Sequence, residues 1–224
     1  MQIQSVNNTP AFQANQLRTV YKFAKNTGKH QTSIDIYSIN KSDSELIDKL
    51  LLKVDLKNRA DGLAIREKQN VNDAIRNILT KAKMLNENST DGVYMAVQNS
   101  DRVIGFLDYT NGGMPLLKNL VALRGKEQNN TRLNLFTEFL QRVGIKSKES
   151  IANYSEEKSK GNRWLQAQGF EVPQQIRYAR QRLLMPQENV SENAAKCEQI
   201  LENNGLKVTQ YSEPRRIELT NLEF

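Results

Sequence analysis

Leu116-Leu117-Lys118-Asn119-Leu120-Val121-Ala122-Leu123 is an apolar run that breaks into the basic turn Arg124-Gly125-Lys126, and the residues on both sides fall into place around that join. The run reads as a strand. After the turn, Leu133, Phe136, Phe139, Leu140 and Val143 recur at helical spacing, with Asn129, Asn130 or Thr131 available as a cap and Gly144 as a stop. A helix N-terminus beside two cations is a ready anion site, because its free amides and dipole favour negative charge. Downstream, Ser150 to Tyr154 reads as a short strand. Ser155-Glu156-Glu157 opens a second helix that carries Trp164-Leu165 and stops at Gly169-Phe170.

Upstream of the join, Val93 to Val97 and Val103 to Leu107 read as a hairpin, and Asn111 to Pro115 links it to the central strand. Ile34 and Ile36 alternate with Asp35 and Tyr37 as in a strand. Ser42-x-x-Glu45 then forms a capping box before a stripe of Leu46, Ile47, Leu50, Leu51 and Val54. Leu56 to Gln69 is mixed and charged, a loop or broken helix, and Val71 to Leu85 is strongly amphipathic. Ile176 to Met185 reads as a later strand. Expected together are a mixed α/β (α+β) fold and a central, mostly antiparallel sheet of about six or seven strands, parted between the strands at Leu116–Leu123 and Ser150–Tyr154.

This layout resembles the GNAT superfamily of N-acetyltransferases over roughly residues 33 to 185. In that family a strand enters a turn of the form Arg/Gln-x-x-Gly-x-Gly/Ala, which holds the pyrophosphate of acetyl-CoA, and a later helix ends in Gly-Phe. Arg124-Gly125-Lys126 and Gly169-Phe170 match; the later glycines are replaced by Glu127 and Asn129. Glycine lets amides approach a phosphate unobstructed, and asparagine is the next best residue at left-handed angles, so Asn129 and Asn130 are placed to preserve the turn. Glu127 adds a carboxylate that Arg124 and Lys126 offset.

The resemblance implies an acetyl-CoA-dependent N-acetyltransferase acting on an amine of a small molecule or peptide. It assigns Leu120, Val121, Ala122, Arg124, Gly125, Lys126, Asn129, Asn130 and Asn153 to the cosubstrate, the oxyanion donor being a backbone amide near Leu120 to Ala122. It places a proton-donating tyrosine where Leu165 stands. Tyr154, ending its strand, is then the first candidate acid and Tyr109 the second, with Asp108 the nearest acidic residue. A catalytically inactive relative serving as a binding or interaction module is the alternative.

Composition sets wider limits. The 224 residues, formal charge of +7, pI near 9.4 and mean hydropathy of −0.65 describe one core with extensions and an anionic partner. Basic residues are scattered rather than blocked, so nucleic acid is the minor reading among such partners. No apolar run approaches the ~18 residues of a membrane span. One cysteine, Cys197, excludes an intramolecular disulfide and fits a cytoplasmic setting; with one histidine, His30, it leaves no zinc ligand set. Residues 1–30 read as a polar extension, with helical spacing at Leu17, Val20, Tyr21 and Ala24. The acetyltransferase-like domain follows at 31–186, and 187–224 is a helix, with Cys197 on its inner stripe, plus a hairpin divided at Ser212-Glu213-Pro214.

Overall fold

The computed structural model describes residues 12–23, 30–60, 66–123, 127–156, 159–173, 180–219 and 222–224. Eight strands and five α-helices follow the order β1 (Phe12–Phe23), β2 (His30–Ser38), α1 (Ser44–Ala60), α2 (Arg66–Met84), β3 (Gly92–Gln98), β4 (Arg102–Thr110), β5 (Leu116–Ala122), α3 (Gln128–Phe139), β6 (Ile151–Glu156), α4 (Lys160–Ala167), β7 (Arg180–Met185), α5 (Gln187–Asn203) and β8 (Leu206–Leu219). The strands form one sheet in the order β7-β6-β5-β4-β3-β2-β1-β8. Every pairing is antiparallel except β5 with β6.

Each face of the sheet carries its own core. Leu46, Ile47, Leu50 and Val54 of α1 and Ile75, Ile78, Leu79 and Ala82 of α2 pack over Val93, Met95 and Phe106 on one side. On the other, Leu133, Phe136 and Phe139 of α3 and Ala194, Cys197 and Leu201 of α5 pack over Ile34, Ile36 and Leu107. α3 is buried well beyond its apolar stripe, because α5 lies against it: Asn134, Thr137 and Glu138 are inside as well. The hydroxyls of Thr131 and Thr137 satisfy themselves by donating to the carbonyls of Glu127 and Leu133, four residues back.

The hairpin, the central strand and the two helices that flank it lie where the sequence puts them. Asn99 and Ser100 both take positive φ, 51° and 67°, the geometry that lets a two-residue turn follow the twist of β3 and β4. Gly169 ends α4 at φ 93°, and a Cβ there would meet the Asn193 side chain at 2.2 Å, so only glycine serves.

Two readings at the chain ends change. The helix expected at Leu17, Val20 and Tyr21 is strand β1, while Ala24 lies outside the described residues. Leu17 is an extra residue bulged between Gln16 and Arg18, and a bulge shifts side-chain parity, so Leu17 and Val20 share a face at a helix-like separation of three. The terminal hairpin is one strand, β8. Gln210 pairs with Arg18 and Arg215 with Gln16, so Ser212-Glu213-Pro214 is an irregularity opposite the bulge rather than a reversal. Pro214 is tolerated because β8 is an edge strand. These two strands bring the sheet to eight.

Helix caps also move. Asn40 and Asp43 form the capping box ahead of α1, Asn40 Oδ1 accepting from the Ser42 amide at 2.8 Å, so Ser42 and Glu45 are not its members. Glu127 stands at the N-cap of α3 without a side-chain cap bond, in place of Asn129, Asn130 or Thr131. Ser159 rather than Ser155 caps α4, because β6 runs on to Glu156. A π turn, Leu140–Gly144, closes α3. Among the described residues no helix is long and apolar enough to cross a membrane.

Candidate active site

β5 and β6 touch at only two register positions, Leu116 with Ala152 and Leu117 with Asn153. Beyond them the strands part. The cause is visible in β5, where Lys118 is an extra residue between Leu117, opposite Tyr109, and Asn119, opposite Asp108; such a bulge bends its strand and ends regular pairing. The gap is a cleft of about 220 Å³ between β5 residues 117–121 and β6 residues 153–155. Arg132 of α3 and Gly161, Trp164 and Leu165 of α4 complete its walls.

The unpaired edge of β5 has a defined phase. The Leu123 amide donates to the Ile104 carbonyl at 2.8 Å, and antiparallel hydrogen bonding alternates, so Val121 and Asn119 bond to β4 while Leu120 and Ala122 turn their backbone groups toward the gap. The Ala122 carbonyl is taken by Gln128 Nε2 at 3.0 Å. Leu120's amide and carbonyl and Ala122's amide remain along the opening. Opposite them Asn153 Nδ2 donates to the Leu117 carbonyl at 2.8 Å, pinning the strands at the fork. Its Oδ1 is buried without a partner. A buried unsatisfied acceptor costs ~1–3 kcal/mol.

Leu120 and Val121 line the cleft and Ala122 lies at the end of β5 beside it. Asn129 accepts from Trp164 Nε1 at 3.4 Å, tying the first turn of α3 to the cleft wall. Asn130 turns elsewhere: Nδ2 donates to Glu127 at 2.6 Å and Oδ1 accepts from Asn204 at 2.8 Å. Glu127 is met by Lys22 of β1 at 3.3 Å, so its charge is offset by a residue distant in sequence. Arg124, Gly125 and Lys126 lie outside the described residues.

Tyr154 borders the cleft and is 51% exposed. Asp108 is 4% exposed on the α2 side of the sheet, held by Lys81 at 3.2 Å and Asn119 at 2.7 Å, and is not part of the cleft lining. Tyr109 is buried against Tyr94, their hydroxyls 3.5 Å apart, and burial raises the pKa of both. Leu165 is buried in the wall, so among the described residues the hydroxyls lining the cleft are those of Tyr154 and Ser155, the latter 3.1 Å from Ser159 Oγ.

Arg132 and Trp164 had no role in the sequence reading. Trp164 stands edge-on to Phe136 at 5.6 Å between ring centres, and Phe136 meets Phe170 at 6.0 Å, which fixes the wall. Arg132 follows the first turn of α3 and is partly buried; burial alone lowers its pKa, with no carboxylate raising it. Its position in the helical register was the one available signal, since it falls off the apolar stripe toward the β5 side. A desolvated cation without a counter-charge is prepared for an anion.

No protein-family model and no curated protein matches the sequence. Solved structures do. An aminoglycoside 6′-acetyltransferase type Ii is 13% identical, covering 68% of this chain and 96% of its own, with a TM-score of 0.48. The PaiA N-acetyltransferase from Thermoplasma acidophilum in complex with coenzyme A is 18% identical over 68% and 98%, TM-score 0.44. A GNAT-family acetyltransferase from Staphylococcus aureus Mu50 is 15% identical over 69% and 99%, TM-score 0.44. In fold, the chain is similar to GNAT-family acetyltransferases. At such identities and TM-scores these likenesses carry no functional argument, and the cleft has to supply it.

Proposed function

We propose that this protein is an N-acetyltransferase that takes acetyl-CoA in the gap between β5 and β6 and passes the acetyl group to an amine. The observation that carries this reading is the open β5 edge across the gap from Asn153, a lining residue whose buried Oδ1 has no partner. An extended ligand that carries its own amides, such as a pantetheine arm, pairs with such an edge as a strand does. Bound acetyl-CoA supplies the activated acyl thioester. Leu120's amide is the donor for the developing oxyanion, Asn153 Oδ1 accepts from an arm N–H, and Arg132 acts with Arg124, Gly125, Lys126 and Asn129 on the phosphates. The Ala122 amide and the side chains of Val121 and Asn130 support that edge and turn. Tyr154 protonates the departing thiolate. Asp108, engaged by Lys81 and Asn119, stays outside the reacting set.

A thermal-shift titration with acetyl-CoA, CoA and an unrelated polyanion tests the site. A ligand of the native state adds about 2.7 kcal/mol at a hundredfold excess over Kd. CoA and acetyl-CoA are expected to raise Tm and the polyanion is not; equal shifts from all three would reduce the cleft to a generic anion site. Leu165, which cannot donate a proton, favours a second reading, a CoA-binding module without catalysis. CoA binding with no acetylation across a broad amine panel selects it.

A further inference from the structure

On the side of the sheet that faces α2, three side chains stand in one row across the mouth of the cleft. Leu117 and Asn153 are register partners, so the next residues along the parallel pair, Lys118 and Tyr154, flank the point where the strands part. Tyr154 is in turn the partner of Arg182 on β7, and directly opposed residues share a face. The row is therefore cation, tyrosine, cation. All three are exposed. Arg182 leans on the loop before β5, its Nη2 3.3 Å from Met114 Sδ.

Neither Lys118 nor Arg182 has a carboxylate partner among the described residues. Of the acids on that face, Asp108 is already matched by Lys81, while Glu156, two residues on from Tyr154, and Glu171, bridged to Leu184, form no salt bridge with Lys118 or Arg182. Among the described residues no Asp or Glu lines the cleft, whereas Lys118 and Arg132 do. An amine entering as an ammonium ion meets uncompensated positive charge, which repels it and favours its neutral, nucleophilic form. A bare amine binds poorly there. One that carries an anion of its own is attracted by the row and still feels the pressure to lose its proton, so no carboxylate base is required.

Resting on the acetyltransferase reading, we infer that the acceptor is a primary amine bearing a carboxylate or phosphate a few bonds from its nitrogen, the anion held by Lys118 and Arg182 and the nitrogen presented above Tyr154. The neutral amine attacks the thioester carbonyl carbon, the C–N bond forms and the C–S bond breaks. Tyr154 gives its proton to sulfur and is restored by the proton that leaves nitrogen, so the products are the amide and a free thiol.

Matched probes separate this from its premise. Phosphoethanolamine against ethanolamine, and glycine against glycinamide, are compared at equal concentrations of the neutral amine, by acetylation rate and by calorimetric binding to the CoA-loaded protein. The acidic member of each pair is expected to be favoured more than about tenfold, the advantage halving on a logarithmic scale in Lys118→Gln or Arg182→Gln and vanishing in the double variant, each ratio being taken at saturating CoA. Carboxylate and phosphate are told apart by which pair shows the larger ratio. Equal use of both members, or preference for ethanolamine or a polycationic amine, overturns the inference and leaves the acetyltransferase reading standing. Failure of CoA itself to bind overturns that reading first, and this one with it.

Discussion

Two regions of the sheet treat positive charge in opposite ways. On the β1 flank, Arg18 is fully buried and its Nη1 donates to Gln141, Glu198 and Gln210 at 2.9, 3.0 and 3.1 Å, joining the π turn, α5 and β8. Beside it buried Glu138 accepts from Arg142 and Gln210, and Arg142 donates to the carbonyls of Leu17 and Tyr211. At the β5–β6 gap, Lys118, Arg132 and Arg182 have no such partners among the described residues. The difference teaches where a cation serves the fold and where it is left for a ligand. Between paired strands under a helix a charge must be matched by protein atoms, because desolvation is severe, and Arg18's pKa is lowered by burial against the pull of Glu198 and Glu138. Where strands part, water and ligands supply the match.

Breaking each region gives measurable contrasts. Tyr154→Phe is expected to lower acetyl-transfer turnover by ~10²–10⁴-fold, since a general acid is lost, with CoA affinity nearly intact by calorimetry. Turnover equal to the parent's would remove Tyr154 from the reaction. Arg18→Met leaves Glu198, Gln141 and Gln210 without their shared donor and should cost about 1–3 kcal/mol in urea unfolding, with CoA affinity preserved; no measurable loss would make the flank no more than a surface pair in energy.

A third test uses pH. Burial pushes the Cys197 thiol from 9.0 up to about 11. Its contribution to stability is complete below the unfolded value, and it is lost as pH rises from about 9 to about 11, because over that window the unfolded chain releases a proton that the folded one retains. Unfolding free energy should fall by about 2–3 kcal/mol more in the parent than in Cys197→Ala across that range; parallel curves would show the thiol open to solvent. Smallest is Arg132→Gln, expected to weaken CoA roughly tenfold, about 1.4 kcal/mol, and to flatten the salt dependence of binding. An unchanged salt slope would assign the phosphates to Arg124 and Lys126 alone, which their double alanine variant then reads directly.

Much of the cleft was legible because its parts are local. The apolar run of β5 and the helix after it each announce themselves within a dozen residues, because hydrophobic period and glycine placement are properties of a short window, whereas Asn153 on β6 was named only through the family resemblance. Leu165 in place of a hydroxyl donor came from that same resemblance. The bulge at Lys118 was not, since a bulge exists only relative to a partner strand. Nor was the role of Arg132, whose environment is made by β5 and α4 together.

The flanks divide in the same manner. From sequence alone came the mixed α/β class, the order of hairpin, central strand and capped helices, and an anion-seeking basic balance, because propensity, periodicity and charge are carried by the chain itself. Tertiary structure alone decided that residues near the two ends pair as β1 and β8, that Leu17 sits in a bulge and that Lys22 offsets Glu127. It also decided that Lys118, Tyr154 and Arg182 form one row. The reason is physical: strand pairing, register and the matching of buried charge are relations between segments far apart in sequence, and their energies arise only when those segments meet.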